Sequence, residues 1–457
     1  MKNRFHIIFS FAVFTLIGIN SCKNKSADTK KDPVSFSQIS DDSLLTLVEF
    51  RTFQYFWEGA ESVSGMARER IHIDGEYPEN DMNVVTTGGS GFGVMAIIVA
   101  MKRGFITREQ GFARLRHIVD YLGKADRFHG AWPHWLYGET GKVKPFSPKD
   151  NGADLVETAY LVQGLLAVRQ YFINGSEQER RLANDIDSLW KGVEWDWFTK
   201  GGEDVIYWHW SPEFGWAMNF PVEGYNECLI LYILAASSPT HPVDPQAYNK
   251  GWARNGDIVS RQKTYGLPLI LKHNFAEQYG GPLFWAHYSY LGLDPRGLSD
   301  KYADYWQLNV NQALINHQWC TENPKKFKGY SAERWGLTAS YSPAGYAAHA
   351  PGEKNDIGVI SPTAALSSFP YTPKESMAAM KDFYFNLGDR IWGKYGFYDA
   401  FSEQSGWYPQ RYLAIDQGPV VVMIENYRTG LLWDLFMSCP EIINGLKILG
   451  FSSRTDK

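Results

Sequence analysis

The chain has 457 residues, is 44% hydrophobic and 15% aromatic, and carries a formal net charge of −5. That balance excludes a disordered chain, which would lack the apolar content for a core, and a basic nucleic-acid binder. The 17 Trp and 26 Tyr are the compositional signal, because aromatics at this density serve both as core packing and as platforms for flat apolar faces, sugar rings among them.

Residues 1–21 read as an export signal. Lys2 and Arg4 give a positive start, and the apolar run 7–17 is too short to cross a bilayer as a stable helix. "GINSC" places Ser21 before Cys22 and resembles a bacterial lipoprotein signal, in which Cys22 is the lipidated residue, although Asn20 departs from the tightest form. A plain secretory signal with Cys22 incidental is the alternative. Residues 22–40 read as a polar tether. The expectation is an exported, lipid-anchored protein of the periplasm or outer membrane, touching the membrane only through its lipid.

From residue 41 the helical period dominates. Helices are predicted at 41–58, 91–103, 107–125, 154–172, 176–193, 223–236, 277–290, 299–316, 372–387, 425–438 and 440–449. Ser40, Thr107, Ser176 and Thr372 each precede a first turn carrying an acid or Gln, the mark of a helix start. The best strand candidate is 204–210, and "WPHWLYG" reads as a short hairpin. No linker interrupts this stretch, which exceeds the roughly 250–300 residues that one ordinary core supports. Two domains would explain that; a closed ring explains it better. The predicted fold is all-α, an (α/α)6 barrel of six inner and six outer helices over 41–457, with small β-hairpins in its loops.

Three segments share one grammar. "DNGADLVETAYLVQGLLAV" places Asp150, Asp154 and Glu157 at i, i+4 and i+7, one face of a helix whose stripe then turns apolar. "PVEGYNECLILYILAASS" places Glu223 and Glu227 four apart, and "MIENYRTGLLWDLF" sets Glu425 at a predicted helix start. Inner helices of a ring run parallel, so these acids would meet at one mouth. A lone acid at a helix start needs only a capping role. Asp154, Glu157 and Glu227 lie where charge should be buried, and burial demands a partner, with Arg411 and Arg428 as candidates. Asp416 falls in a predicted Gly/Pro loop before the Glu425 helix.

The aromatic loops carry Trp132, His134, Trp135, Trp208, His209, Trp210, Trp216, Trp285 and Trp335, as sugar platforms or as plugs that hold loops to the barrel. The histidines lack metal-site spacing, so no metal or cofactor is predicted. "TGGSGFG" at 87–93 lacks the ending of a phosphate loop and reads as close helix packing. Cys228, Cys320 and Cys439 match no zinc or redox pattern; one disulfide with a free thiol, or three buried thiols, are both open.

Two neighbouring acids in different surroundings are the apparatus of glycoside hydrolysis. Glu227 suits the proton donor better than Glu223, and a dipole-stabilised acid such as Asp150 suits the base or the holding of substrate. "DNGADLVETAYLVQGLL", "EGYNECLILYILAASSPTHP", "YGLPLILKHNFAEQYGGPLFWAHYSYLGLDPRG" and "AIDQGPVVVMIENYRTGLLW" together resemble the glycoamylase-like family, and within it glycoside hydrolase family 144. The resemblance implies a six-hairpin α/α barrel that hydrolyses β-1,2-glucan, by endo action or by releasing sophorose, with inversion. It implies catalytic acids at Asp150, Asp154, Glu157 and Glu227, with Glu227 as general acid and the base either Asp416 or one of the first three acting through water. Glu223, Trp132, His134, Trp208, His209, Trp285 and Glu425 are the expected substrate contacts, and a monomer is expected. Alternatives are a glycan-binding lipoprotein without catalysis, an α/α-barrel polysaccharide lyase, and a glucoamylase acting on another glucan.

Overall fold

Helix after helix in this chain alternates between being buried on every face and on one. The computed structural model describes residues 39–454 apart from Phe275 and Glu277. The predicted signal segment, Cys22 and nearly all of the tether lie outside the described residues. α1 (Asp41–Trp57) is followed by α2 (Thr87–Arg103), α3 (Arg108–Leu122), α4 (Leu155–Phe172), α5 (Glu177–Lys191) and α6 (Leu229–Ser237). Then come α7 (Tyr305–Glu322), α8 (Pro362–Ser367), α9 (Pro373–Ile391), α10 (Ala414–Arg428), α11 (Leu431–Met437) and α12 (Pro440–Leu449). α4 is buried on every face from Leu155 to Arg169, whereas α5 buries only Leu182, Ala183, Ile186 and Trp190. The first pattern belongs to an inner wall and the second to an outer one.

Packing closes the ring. α2 contacts α4, α4 contacts α6, α10 contacts α8 and α2, and two 3-10 turns at Leu283–Ala286 and Tyr288–Tyr290 take the inner place between α6 and α8. His287 Nε2 pairs with Ser368 Oγ at 3.0 Å across that last joint. α1, α3, α5, the π-turn Tyr248–Trp252, α7 and α9 form the outer positions. The result is the predicted (α/α)6 barrel, with α11 and α12 packed beneath α4 and α6. No helix among the described residues is long and apolar enough to cross a membrane. Cys228, Cys320 and Cys439 are free and buried.

Several predicted elements shift for identifiable reasons. The expected helix at 277–290 is replaced by the two 3-10 turns, and its predicted start, Glu277, lies outside the described residues. The helix predicted at 299–316 begins at Tyr305, because Asp304 caps it through Gln307 N and Ser299 is paired with Ser452. The "TGGSG" stretch is helical: α2 starts at Thr87, and its glycines let it touch α4. A Cβ on Gly91 would lie 2.3 Å from Tyr160 O, and one on Gly164 would lie 2.1 Å from Gly91 O. Of the strand expected at 204–210 only His209–Trp210 forms, paired with Ala153–Asp154. Trp135–Tyr137 is the middle strand of three, between Val84–Thr86 and Val143–Lys144.

Candidate active site

The N-terminal ends of α2, α4, α6 and α10 face one mouth, as the parallel inner helices of a ring require. Asp154 is not on the helix but caps it, its Oδ1 accepting Glu157 N at 2.9 Å. Asp150 precedes the cap, so the three acids do not form a helical stripe; the turn into α4 gathers them instead. Trp132 explains the local order. Its indole is buried and donates to Leu122 O at 3.1 Å, and its backbone bonds Thr158 Oγ1 and Asp154 N. It is therefore an anchor, not the sugar platform expected, and it sets His134 two residues later against Asp154. The pairing of Asp154 with His209 across the two-residue strands brings in the second imidazole.

Both oxygens of Asp154 are occupied. Trp208 Nε1 donates to Oδ1 at 2.8 Å, His134 Nδ1 to Oδ2 at 2.8 Å, and His209 Nε2 stands 3.7 Å from Oδ2. Burial raises the Asp154 pKa, but the hydrogen bond and charge of His134 outweigh it and leave the carboxyl below its ordinary value. Burial alone would discharge His134; Glu157, Asp154 and Asp150 instead raise it to about 9. His134 is thus the counter-cation of the cluster, the role the sequence had offered to Arg411 and Arg428. Those two are committed elsewhere, Arg411 to Asp74 and Glu76, Arg428 to Asp42 and Glu49.

Glu157, whose Oε2 accepts Gly88 N at 2.8 Å, is raised to about 7, first by burial. Burial and Asp154 raise Asp150 to about 7. Its Oδ1, like His209 Nδ1, is buried with no protein partner. His134, Asp150 and Asp154 bring one donor atom each to within 4.8 Å of one another, a spacing that could hold a cation. Because His134 Nδ1 already donates to Asp154 and keeps its proton to about pH 9, the imidazolium itself is the cation there.

Glu227 lies two residues before α6, not inside it. Gly224 at φ +71° turns the chain, and Asn226 Oδ1 caps Cys228 N at 2.9 Å, so the helix starts late. Its carboxyl is half-buried at the junction of two cavities of about 350 and 420 Å³, which also share His134, Phe146, Trp208 and Phe284. Burial raises it to about 7, with Glu157 and Asp154 adding to the effect. Glu157 lines the first lobe; Asp150, His209 and Trp285 line the second.

Three expected site residues stand elsewhere. Glu223 is partly exposed and pairs with Arg254 at 3.6 Å. Glu425 is in the last turn of α10, not at a helix start, and pairs with Arg103 at 2.5 Å at the far end of the barrel. "DQGPVVV" reads as loop because of Gly and Pro, yet α10 runs through Pro419 and loses only one backbone bond near its start. Asp416 accordingly sits in the first turn of α10 rather than in a loop. It is buried, lines neither lobe, and is raised far above its ordinary value by burial and by Asp399. Asp399 itself, raised to about 7 by burial, accepts Tyr341 N at 2.7 Å.

Residues that no local pattern marks complete the wall. Arg70–His72 pairs with Arg411–Leu413, bringing the Glu69–Arg70 ion pair to the first lobe. Tyr341 and Tyr346, at the turn joining Ala339–Ser340 to Ala347–Ala348, and Tyr288 reach the same lobe. A carboxyl able to hold its proton near neutrality, an ionised acid–imidazolium pair and aromatic walls suit acid–base cleavage of a sugar linkage.

Residues 219–440 match the Glycoamylase (glucoamylase) family model. An endo-β-1,2-glucanase from Chitinophaga pinensis, solved with sophorotriose and glucose, is 67% identical with a TM-score of 0.90, over 91% of this chain and 99% of that one. An exo β-1,2-glucooligosaccharide sophorohydrolase (non-reducing end) of Parabacteroides distasonis is 43% identical over 95% of this chain, which spans 62% of that protein's length. An endo-β-1,2-glucanase from Talaromyces funiculosus with β-1,2-glucan is 13% identical over 91% of each chain with a TM-score of 0.63, a likeness of fold alone.

Proposed function

We propose a reaction for this chain from one premise: it belongs to the glycoamylase-like family of bacterial β-1,2-glucanases. It hydrolyses β-1,2-glucan. The observation that carries the reading is Glu227, whose carboxyl is raised to about 7 and set where the two lobes of the cleft meet.

Glu227 donates its proton to the glycosidic oxygen as the bond from that oxygen to the anomeric carbon breaks. Glu157, which lines the same lobe as Glu227 and, unlike Glu69, is not held by an arginine, takes a proton from water, and the water oxygen attacks the anomeric carbon from the opposite face. The product is the inverted hemiacetal plus a shortened glucan. Asp154 is too fully bonded to accept a proton; it keeps His134 and Trp208 in place. Asp150 and His209 line the second lobe and hold sugar hydroxyls there. Asp416, held protonated against Asp399, is a poor base and supports the wall beside Tyr288.

The test is digestion of linear β-1,2-glucan with reducing-end assay, anomer detection by NMR and chromatography of product lengths, which also separates endo from exo action. Glu227→Gln is expected to lower kcat by roughly 10²–10⁴-fold with KM little changed. Release of sugar from a different glucan and none from this one overturns the reading. We further propose residues 1–21 as a cleaved signal, 22–40 as tether and 41–457 as a monomeric catalytic barrel held in the periplasm or outer membrane by lipid on Cys22. Palmitate labelling lost in Cys22→Ser checks the anchor.

A further inference from the structure

A second cavity of about 660 Å³ opens outside the cleft, within the range of small-ligand sites. Its aromatic wall is Trp197 and Trp216, with ring centroids 6.4 Å apart and tilted by 31°. Trp197 is 41% exposed, an uncommon state for the largest apolar side chain. It is nonetheless held rigidly. The His129 ring stacks on one face at 3.8 Å and 10°, and Trp210 meets it edge-on at 6.3 Å. Buried Trp195 and Phe198 root the turn on either side.

The surroundings leave this platform open and polar at its rim. Lys200, Gly201 and Gly202 are three consecutive left-handed residues, and a Cβ on either glycine would meet nothing within 4 Å. Asp196, exposed and bonded to His241 Nδ1 at 3.1 Å, and Glu194, bonded to His129 Nδ1 at 2.9 Å, supply acceptors. Lys200 supplies a donor, its Nζ 3.0 Å from Asn219 Oδ1. His129 holds φ +51°, a cost that a non-glycine residue bears only where its surroundings impose it. Here that conformation is what lays its ring under Trp197.

The platform backs onto the cleft across one short strand. Successive residues of a strand point to opposite faces. His209 faces Asp150 and Asp154, and Trp210, the next residue, faces His129 and Trp197. A stacked indole with carboxylate and ammonium groups at its edge matches the CH face and hydroxyl rim of a pyranose. We propose that this cavity is an accessory binding site for a segment of the same β-1,2-glucan, separate from the catalytic cleft. The inference rests on the proposed substrate.

The test is calorimetric titration of β-1,2-linked glucopentaose into full-length protein carrying Glu227→Gln, so that nothing is turned over. Two equivalents bound per chain are expected, falling to one when Trp197→Ala is added and remaining two with Trp197→Phe, which keeps a ring. In the otherwise native enzyme, Trp197→Ala is expected to raise KM for long glucan about threefold or more while leaving kcat and KM on the pentaose unchanged. One equivalent in all three titrated proteins, or equal kinetic change on polymer and pentaose, overturns the inference. Two equivalents bound, when the native enzyme itself hydrolyses no β-1,2-glucan, would instead overturn the reaction and leave the accessory site standing.

Discussion

At Asp154 three donors converge on two oxygens, the Glu157 amide, the Trp208 indole and the His134 ring, with the His209 ring 3.7 Å away. Asn can still cap a helix but carries no charge to hold the imidazolium. It also turns an amide NH2 toward one of the buried donors, so Asp154→Asn should reduce kcat strongly and cost about 1–3 kcal/mol of stability. Asp154→Ala should add a loss of about 0.5–2 kcal/mol from the missing cap, measured by denaturant unfolding. The titration of the cluster sets the pH response. Glu227 must be protonated and Glu157 ionised to act, so kcat/KM should peak near pH 7 and fall on both sides, which its pH profile checks. Stability instead falls toward the alkaline side. Asp150, Glu157 and Glu227 stand at about 7 when folded against ordinary values of 3.8, 4.5 and 4.5, so the folded state binds the extra protons and loses that advantage as pH rises through about 7. His134, raised from 6.5 to about 9, adds stability below 6.5 that disappears as pH passes 9. The midpoint of melting should accordingly drop between pH 5 and pH 9.

The elements differ in how openly the sequence announced them. α1, α3 and α5 were legible to within about three residues, because an apolar stripe and an N-terminal signal coincide in each, and α12 was legible from its stripe alone. α10 was not, since Gly418 and Pro419 speak for a loop and only its inner position in the ring makes a helix worth one missing bond. The acids were found through a helical spacing that Asp150 and Glu227 do not obey. They still meet, because a residue just before a helix start shares the neighbourhood of its first turn. Glu69, Arg70, Tyr341 and Tyr346 had no signal at all: strands of two or three residues carry no period, and their partners lie far away in sequence. The glycines of α2 were read as close packing, and the contact with α4 bears that out. Gly164→Ala, aimed at the Gly91 carbonyl, should cost about 1–3 kcal/mol by overpacking, seen as a lowered melting midpoint, with the cleft acids untouched.

Over the whole molecule the ring sorts its charges by end. The mouth holds the catalytic cluster, and the base holds Glu49, Arg103, Glu425 and Arg428 among the last turns of α2 and α10. Glu425→Gln leaves Arg103 facing Glu49 at 4.0 Å, and Arg103 keeps 21% of its side chain exposed, so the expected loss is roughly 1–2 kcal/mol, below that of a fully buried pair left without a partner. Its kcat and KM should not change, and a change in KM would return Glu425 to the substrate contacts first expected of it.

The amide of Glu157 belongs at once to the first turn of α4 and to the hydrogen-bond shell of Asp154. Hydrogen–deuterium exchange at that one position is therefore a native gauge of whether the site is assembled, readable without substrate, label or turnover. A conformer that frees Asp154 uncovers that amide, and a sugar that braces Asp154 should slow its exchange in proportion to its occupancy.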